Sequence, residues 1–349
     1  RVEAARFSLL LSAPAIAGAG LATGRDLDWT RDAPRFPGPS ERLRAGGVDW
    51  RVMRRGERGP EILLLHGAGA SAHSWDEAAA DLAEDHRVTA PDLPGHAFSS
   101  AGPPSRQGLP AMAAALAQLL ATLEVSPRLI AGHSAGAAVA LRLTLDGAAA
   151  PAAIFAVNGA LAPFRGLAGV LFPPMAKALA LNPFTPRAFA AAMGADPLAA
   201  GRLIRGTGST APRRSMAFYR RLFATPAHVD GALRMMAQWD LEPMLAELPS
   251  LPCPLILSVG GKDRAVPPDE AERLAARLPF ARLERHADLG HLMHEEAPER
   301  FAARIRALAE NPASEPAPAA AGAEASADPT ETAETAAETA AEPPAGDAA

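Results

Sequence analysis

Residues 129–136 read Leu129-Ile130-Ala131-Gly132-His133-Ser134-Ala135-Gly136, a short apolar run that leads directly into a G-x-S-x-G motif. A helical pattern starts at Ala135 and continues to Leu145, so the motif predicts a sharp turn between a strand and a helix. Such a turn holds its serine in a strained backbone conformation with the hydroxyl exposed, and small flanking residues permit the tight geometry. We therefore predict that Ser134 is a nucleophile.

Two later loops supply candidates for the residues that a nucleophilic serine needs. Catalysis by a serine requires a general base and a carboxylate that orients the base. Asp263 follows the predicted strand at 255–259, and His291 follows the predicted strand at 282–285. The chain order Ser134, Asp263, His291 is typical of enzymes that carry the nucleophile on such a strand-to-helix turn. We predict that His291 is the base and that Asp263 orients it.

Each of these assignments has a competitor nearby. Asp288 lies three residues before His291, too close in sequence to hold that ring from a separate loop. His294 lies three residues after His291, where a helix is expected to start, and the glycine before His291 favours His291 as the base. Asp263 taken alone also fits a solvated turn residue between two basic neighbours, so its assignment depends on the other two residues.

Small residues after the first predicted core strand predict an oxyanion hole. The loop after residues 62–65 reads His66-Gly67-Ala68-Gly69-Ala70, and small residues let backbone N–H groups approach a substrate. We nominate the amides of Ala68 and Ala135 as the donors. A plain glycine turn explains this loop equally well by itself, but not its coincidence with the serine motif. The Asp92-Leu93-Pro94-Gly95-His96 loop after the next strand is predicted to be structural.

Short apolar runs alternate with longer helical patterns through most of the chain. A hairpin is predicted over 43–54, with its turn at Gly46-Gly47. Strands are predicted at 62–65, 88–90, 129–131, 154–157, 255–259 and 282–285, and helices at 75–84, 112–123, 135–145, 269–278 and 298–309. Continuous apolar strands separated by helices are typical of an α/β protein with a mostly parallel sheet covered on both faces. The alternation stops over about 159–252, which we interpret as a helical cap inserted after the sixth strand.

The two ends of the chain differ from this middle part, which we assign to residues 28–310. Residues 7–23 form an uncharged run that is marginal for a membrane span and also fits the apolar core of a signal peptide. Residues 311–349 contain eight acids, no Lys or Arg and no large apolar side chain, so they cannot bury enough surface to offset the ordering entropy. We predict that this tail is disordered.

The composition argues against several classes of function. The formal net charge is −5 over 349 residues, and removing the tail leaves +3, without a block of Lys or Arg that would indicate nucleic-acid binding. The single cysteine, Cys253, excludes an internal disulfide and a cysteine-based zinc site and favours a reduced, cytoplasmic setting. His286, His291 and His294 lack the spacing of a zinc motif, and residues 66–69 match neither nucleotide-binding glycine motif. We expect no metal and no cofactor.

Together these motifs resemble the α/β-hydrolase fold over residues 42–308. A closer resemblance is to the magnesium-chelatase accessory proteins of bacteriochlorophyll biosynthesis, a branch of that fold. It rests on residues in both the core and the cap: 27–29 (L-D-W), 44–50 (R-A-G-G-V-D-W), 66–75, 131–138, 158–166 (N-G-A-L-A-P-F-R-G), 203–209 (L-I-R-G-T-G-S), 236–240 (M-A-Q-W-D) and 289–296 (L-G-H-L-M-H-E-E). Ala97 is one departure, because the usual D-x-P-G-H-G turn of the fold has glycine there, so the geometry of that turn is open.

A separate resemblance concerns the N-terminal segment. Residues 1–14, R-V-E-A-A-R-F-S-L-L-L-S-A-P, are similar to a transmembrane stretch of undecaprenyl-diphosphatase, although the phosphate-binding motif of that enzyme is absent. This similarity implies that residues 1–27 are a fused or foreign segment without activity here. The segment would then contact a membrane only as an anchor.

The accessory-protein resemblance implies a tetrapyrrole pathway in a photosynthetic bacterium, with magnesium chelatase subunits as partners, but not a particular reaction. Three functions stay open: a serine hydrolase acting on a tetrapyrrole or its ester, a non-catalytic tetrapyrrole carrier or chelatase-interacting protein, and a generic carboxylesterase. The small-molecule substrate is expected to contact His133, beside the nucleophile, and Phe164 and Arg165 in the cap. Phe164 belongs to an apolar stretch suited to a large planar ligand, and Arg165 would meet its carboxylates.

Overall fold

The computed structural model describes residues 25–103, 107–162 and 182–312. Its centre is an eight-stranded sheet in which the strands lie side by side in the order β1-β2-β4-β3-β5-β6-β7-β8. β1 and β2 form an antiparallel hairpin, β2 pairs antiparallel with β4, and all the other pairings are parallel. The strands are β1 (Ser40–Ala45), β2 (Val48–Arg55), β3 (Glu61–Leu65), β4 (Arg87–Pro91), β5 (Leu129–His133), β6 (Ala153–Val157), β7 (Leu255–Gly260) and β8 (Ala281–His286).

Helices connect most of the strands and also form a separate group between β6 and β7. In chain order the helices of the described residues are α1 (Trp29–Asp32), α2 (Asp76–Leu82), α3 (Leu109–Leu123), α4 (Ala135–Leu145), α5 (Thr185–Ala195), α6 (Ala199–Gly206), α7 (Arg213–Phe223), α8 (Pro226–Ala237), α9 (Glu242–Glu247), α10 (Pro268–Ala275), α11 (Met293–Glu296) and α12 (Pro298–Glu310). Helices α5 to α9 are the described helices of the cap, which follows the sixth strand as the sequence predicts.

Each face of the sheet is covered by its own apolar core. In β3, Leu63 and Leu65 pack into one core, whereas Ile62 and Leu64 pack into the other, and all four side chains are fully buried. Neighbouring side chains of a strand point to opposite faces, so a strand buried on both faces has to be apolar throughout. This arrangement explains why the core strands are recognisable in the sequence as continuous apolar runs.

The predicted hairpin, core strands and connecting helices are confirmed, with ends that differ by a few residues. The helix predicted at 269–278 ends at Ala275, and the one predicted at 75–84 starts after a 3₁₀ turn at Ala72–Trp75. The apolar N-terminal run, nearly all of the acidic tail and the substrate candidates Phe164 and Arg165 lie outside the described residues. Within the described ranges, no helix combines the length and the apolar character that a membrane crossing requires.

The loop after β4 is anchored by a buried ion pair. Arg51 and Asp92 are both fully buried, and Arg51 Nη1 lies 3.3 Å from Asp92 Oδ1. The same carboxylate oxygen accepts the N–H of Ala72 at 2.8 Å. A buried charge is tolerated when it is paired and hydrogen-bonded, as Asp92 is here. The arrangement fits the structural role that we predict for residues 92–96.

Ala97 adopts the left-handed conformation that the usual glycine would adopt in this turn. Its φ is +46°, and its N–H donates to Nδ1 of His228 on cap helix α8 at 3.0 Å. A residue with a Cβ is strained by roughly 1–2 kcal/mol in this region of backbone space. The departure from glycine therefore keeps the geometry of the turn and costs stability.

Replacing Ala97 by glycine is expected to stabilise the protein by about 0.5–1 kcal/mol, because the strain is relieved while glycine gains some entropy in the unfolded chain. Urea unfolding measures this as a higher midpoint with an unchanged slope. Ala148→Gly is the control, since Ala148 is an exposed loop residue that is not among the residues with positive φ. Equal destabilisation of both variants would show that Ala97 carries no strain.

Candidate active site

Ser134 occupies a strained turn between β5 and α4. Its backbone has φ +51° and ψ −117°, a combination that ordinary residues rarely adopt. The turn is held by hydrogen bonds from the Ser134 N–H to Val157 O at 3.0 Å and from the Ala160 N–H to Ser134 O at 3.1 Å. A Cβ on Gly136 would lie 2.5 Å from the carbonyl oxygen of Leu65, so only glycine fits there. The strand, turn and helix predicted from the G-x-S-x-G motif are therefore present.

Asp263 and His291 meet at the carboxyl ends of two neighbouring parallel strands, β7 and β8. His291 Nδ1 lies 2.8 Å from Asp263 Oδ2, and the carboxyl group is buried. The other carboxyl oxygen, Oδ1, accepts the N–H groups of Ala265 at 2.7 Å and Val266 at 2.9 Å. Because Asp263 is an acceptor, Nδ1 of His291 carries the hydrogen and Nε2 keeps its lone pair. This is the tautomer that a general base requires.

The two competing residues lie elsewhere. Asp288 has a 69% exposed side chain and lies 3.6 Å from Arg300. His294 has no exposed surface and packs between the rings of Trp75 and His133, with centroid distances of 4.3 and 4.4 Å. The structure therefore brings Asp263, rather than Asp288, to His291. In the described part of the chain, Ser134 makes no side-chain hydrogen bond to His291, and in free enzymes such bonds are often long.

The predicted oxyanion loop packs directly against the serine turn. A Cβ on Gly67 would lie 3.0 Å from the Cβ of Ser134. The N–H groups of Ala68 and Ala135 have no acceptor among the residues that the structure describes, and Ala135 begins α4. Unpaired donors beside a nucleophile can receive the negative oxygen of a tetrahedral intermediate. The placement of both alanines is compatible with the role we predict for them.

The side chain of His66 hydrogen-bonds to the backbone of this loop and of the loop after β4. Its Nδ1–H donates to Gly67 O at 2.8 Å, and its Nε2 accepts the N–H of Leu93 at 2.8 Å. Burial lowers the pKa of His66 to about 3, so the ring is neutral at physiological pH. Both ring nitrogens are therefore used in one defined tautomer, which links the oxyanion loop to the loop after β4.

His133 points into the protein rather than toward solvent. The residue is only 2% exposed, and its Nε2–H donates to the carbonyl oxygen of His291 at 3.0 Å. Its ring packs against that of His291 with a centroid distance of 4.7 Å. Burial holds the pKa of His133 well below its usual value, so the ring stays neutral. This position favours support of His291 over the substrate contact that we predict from the sequence.

The cap is hydrogen-bonded to the loops of the site at several points. His228 of α8 donates from Nε2 to Gly69 O in the oxyanion loop at 3.0 Å. Thr207 O accepts the N–H of Arg264, next to Asp263, at 3.0 Å, and Ser209 Oγ accepts the N–H of Leu292, next to His291, at 2.8 Å. The sequence gives no signal for these contacts, because their partners are far apart along the chain.

The cap also places apolar side chains next to the site. Ile204, Tyr219 and Phe223 form a cluster with Ala70 of the oxyanion loop and Leu292 of the base loop. Among the described residues, no group of His, Cys, Asp or Glu side chains is arranged to hold a metal ion. A serine at such a turn, with a histidine and a carboxyl group at the same edge of the sheet, is an arrangement that can attack an acyl group next to an apolar surface.

The comparisons with known proteins agree with this fold. The family model of the alpha/beta hydrolase family matches residues 62–304, and the chain belongs to this family. The chain is 44% identical over 265 residues to the magnesium-chelatase 30 kDa subunit of Rhodobacter capsulatus, a match that covers 76% of this chain and 92% of that protein.

Two further matches are esterases. The chain is 32% identical over 259 residues to the pimeloyl-acyl-carrier-protein methyl ester esterase of Aromatoleum aromaticum, covering 70% of this chain and 96% of that protein. The solved structure of an esterase from Exiguobacterium antarcticum matches with a TM-score of 0.64 at 19% identity, covering 78% of this chain and all of that one. At this low identity the structural match shows the fold alone.

Proposed function

We propose that this chain is a serine hydrolase that cleaves an ester of a tetrapyrrole and works with magnesium chelatase subunits in the cytoplasm. The observation that carries the proposal is the 2.8 Å contact between His291 Nδ1 and Asp263 Oδ2, at the same end of the sheet as the strained Ser134. Binding alone gives no reason for a buried carboxyl group to orient an imidazole beside a strained serine.

The reaction follows from the placement of these groups. Nε2 of His291 takes the proton of the Ser134 hydroxyl while Oγ attacks the ester carbonyl carbon. The N–H groups of Ala68 and Ala135 stabilise the resulting oxyanion. The intermediate collapses as the alcohol leaves with the proton from His291, and water, activated by the same ring, then releases the acid from Ser134.

The substrate class rests on the relative and on the surroundings of the site. The Rhodobacter capsulatus protein is named as a magnesium-chelatase subunit. The resemblance to the accessory proteins of bacteriochlorophyll biosynthesis implies a tetrapyrrole as the substrate. The apolar cluster of Ile204, Tyr219 and Phe223 beside the oxyanion loop suits a large apolar ligand. We further propose that Phe164 contacts the macrocycle and Arg165 a carboxylate of the same substrate.

A non-catalytic role as a tetrapyrrole carrier or chelatase partner is the second candidate. The observation that favours it is the naming of the Rhodobacter capsulatus relative as a subunit rather than as a hydrolase. A third candidate, a generic carboxylesterase, has its support in the Aromatoleum aromaticum esterase. The three candidate functions differ in whether activity requires Ser134 and in whether bacteriochlorophyll biosynthesis requires the protein.

Fluorophosphonate labelling tests whether Ser134 is activated. The wild-type protein is expected to form a covalent adduct at Ser134, and Ser134→Ala is expected to abolish it, because only a serine with a base and an oxyanion site reacts readily. Ser250→Ala is the matched control, since Ser250 is exposed and its hydroxyl donates to Glu247 O. An adduct that persists in Ser134→Ala would overturn the assignment.

Complementation of a deletion strain separates the three candidates. If the hydrolase proposal is right, the wild-type gene restores bacteriochlorophyll formation and Ser134→Ala does not. Full restoration by Ser134→Ala would identify a carrier instead. A normal amount of bacteriochlorophyll in the deletion strain would exclude the hydrolase and carrier roles in this pathway and leave the generic carboxylesterase.

A further inference from the structure

Asn158 lies at the centre of the candidate site, directly after β6. The residue is 1% exposed and has φ +44°, in the left-handed region that asparagine adopts more readily than most residues. β6 lies between β5, which leads into Ser134, and β7, which leads into Asp263. Asn158 therefore lies between the loop that carries Ser134 and the loops that carry Asp263 and His291.

The side chain of Asn158 makes hydrogen bonds to two of these loops. Its Oδ1 accepts the N–H of Gly260, which ends β7, at 2.8 Å. Its Nδ2 donates to the carbonyl oxygens of Gly290 and His291, each at 2.9 Å. An amide group supplies one acceptor oxygen and two N–H donors, and here all three are used. The orientation of the amide is therefore set by its partners.

The backbone around Asn158 extends the same connection to the nucleophile. The N–H of Asn158 donates to Ser258 O at 2.8 Å, and the preceding carbonyl of Val157 accepts the N–H of Ser134 at 3.0 Å. The carbonyl of His291 is held a second time by His133, whose Nε2–H lies 3.0 Å away. A displacement of Asn158 would thus change the positions of the serine, the acid loop and the base together.

We propose that Asn158 is a positioning residue that sets the distance between the base loop and the nucleophile; this inference rests on the proposed function. Its amide neither gains nor loses a proton near neutral pH, so it does not act as an acid or a base in the proton transfer. Misplacing a reacting group by about 1 Å can cost roughly 100-fold in rate. The expected effect of losing Asn158 is therefore a loss of turnover rather than of binding.

Two variants separate the side chain from the backbone. Asn158→Gly keeps a residue that accepts positive φ and removes the three side-chain hydrogen bonds. Asn158→Asp keeps the acceptor for Gly260 N–H, but it turns a carboxylate oxygen toward the two carbonyl oxygens of the base loop. We expect kcat for a model ester to fall about 100-fold in Asn158→Gly and at least as far in Asn158→Asp, with KM changed less than about 3-fold.

The control variant has to lower the stability of the protein without changing a residue of the candidate active site. Leu308→Ala serves this purpose, because Leu308 lies on α12, is 1% exposed and packs into the apolar core on one face of the sheet, a core that contains none of the three predicted triad residues. Its kcat is expected to stay at the wild-type value when measured below the melting temperature. Proton NMR adds a second readout, since the signal of the hydrogen between His291 and Asp263 should shift or broaden in Asn158→Gly and not in Leu308→Ala.

The outcomes distinguish this inference from the proposed function. If wild-type protein reacts with the fluorophosphonate and Asn158→Gly reacts at the same rate with an unchanged NMR signal, the positioning role is wrong and the hydrolase proposal stands. If wild-type protein does not react with the fluorophosphonate at all, the hydrolase proposal is wrong, and the inference about Asn158, which rests on it, is wrong as well. A loss of kcat in Leu308→Ala equal to that in Asn158→Gly would assign the effect to stability and overturn the inference.

Discussion

Asp263→Asn is expected to lower kcat for ester hydrolysis about 10,000-fold while leaving the fold intact. The reason lies in the hydrogen bonds of the Asp263 carboxyl group. Oδ1 accepts two backbone N–H groups, from Ala265 and Val266, and Oδ2 faces His291 Nδ1. In asparagine only the carbonyl oxygen can accept from the two backbone donors, so its NH₂ group has to face His291. Nδ1 of His291 must then accept, and the hydrogen moves to Nε2.

The shifted hydrogen removes the base. With Nε2 protonated, the ring has no lone pair for the Ser134 hydroxyl, although every heavy atom keeps its position. The loss is therefore expected in kcat and in the rate of fluorophosphonate labelling, with little change in melting temperature. A variant that only loosened the loop would instead show a lower melting temperature together with the lower rate.

Asp288→Asn is the matched control for this prediction. Asp288 lies three residues before His291 and is the other acid in the neighbourhood, but its side chain is 69% exposed and points to Arg300. We expect the kcat of Asp288→Asn to stay within about 2-fold of wild type. A surface ion pair such as that of Asp288 and Arg300 contributes at most about 1 kcal/mol to stability, and it does not contact the ring of His291. Inactivation by Asp288→Asn, with an active Asp263→Asn, would reverse the assignment of the acid.

The grouping of the predicted triad residues could be inferred from the sequence because each of them follows the end of a strand. Parallel strands place their carboxyl ends at one edge of the sheet, so Ser134, Asp263 and His291 lie at the same edge, after β5, β7 and β8. β5 and β7 are buried throughout and largely apolar, which made their ends easy to find, whereas β8 is only partly buried and carries charged residues. Local pattern and topology therefore determine this part of the site.

The directions of the supporting side chains could not be predicted in the same way. His133 follows an apolar strand and adjoins the nucleophile, but its ring turns inward to a carbonyl 158 residues further along the chain. Asn158 bonds to groups 102 and 133 residues away, and its left-handed backbone is not encoded by a local motif. These positions depend on which loops meet after folding, so a single sequence carries no local signal for them.

Acid is expected to destabilise the protein strongly, by a net amount of at least roughly 5 kcal/mol between pH 7 and pH 5. Burial lowers the pKa of four histidines, His66, His96, His228 and His294, from 6.5 to about 3, and it also holds the pKa of His73 and His133 well below 6.5. In the unfolded chain these rings bind protons near pH 6.5, but in the folded protein they stay neutral. Unfolding therefore takes up protons over this range, and stability falls as the pH decreases from about 6.5 toward 3.

One buried carboxyl group acts in the opposite direction. Burial raises the pKa of Glu295 from 4.5 to about 7, so the folded protein binds this proton more readily than the unfolded chain. Its contribution to stability therefore increases as the pH falls from about 7 to 4.5, by roughly 2 kcal/mol between pH 7 and pH 5. The four histidines contribute roughly 2 kcal/mol each in the destabilising direction over the same interval, so they outweigh Glu295.

His294→Phe tests this account at a single position. Both ring nitrogens of His294 lack a hydrogen-bond partner among the described residues, and the ring packs between two other aromatic rings, so phenylalanine retains the packing and removes one titrating group. Urea unfolding at pH 7 and pH 5 should show a pH-dependent loss smaller than that of wild type by about 2 kcal/mol. His286→Gln should change the pH-dependent loss of stability less than His294→Phe does. His286 is only half-buried, and its ring hydrogen-bonds to the Ser258 hydroxyl. An unchanged pH dependence in His294→Phe would mean that this ring binds protons equally in the folded and unfolded states between pH 7 and pH 5, and burial of His294 would then not contribute to the acid sensitivity.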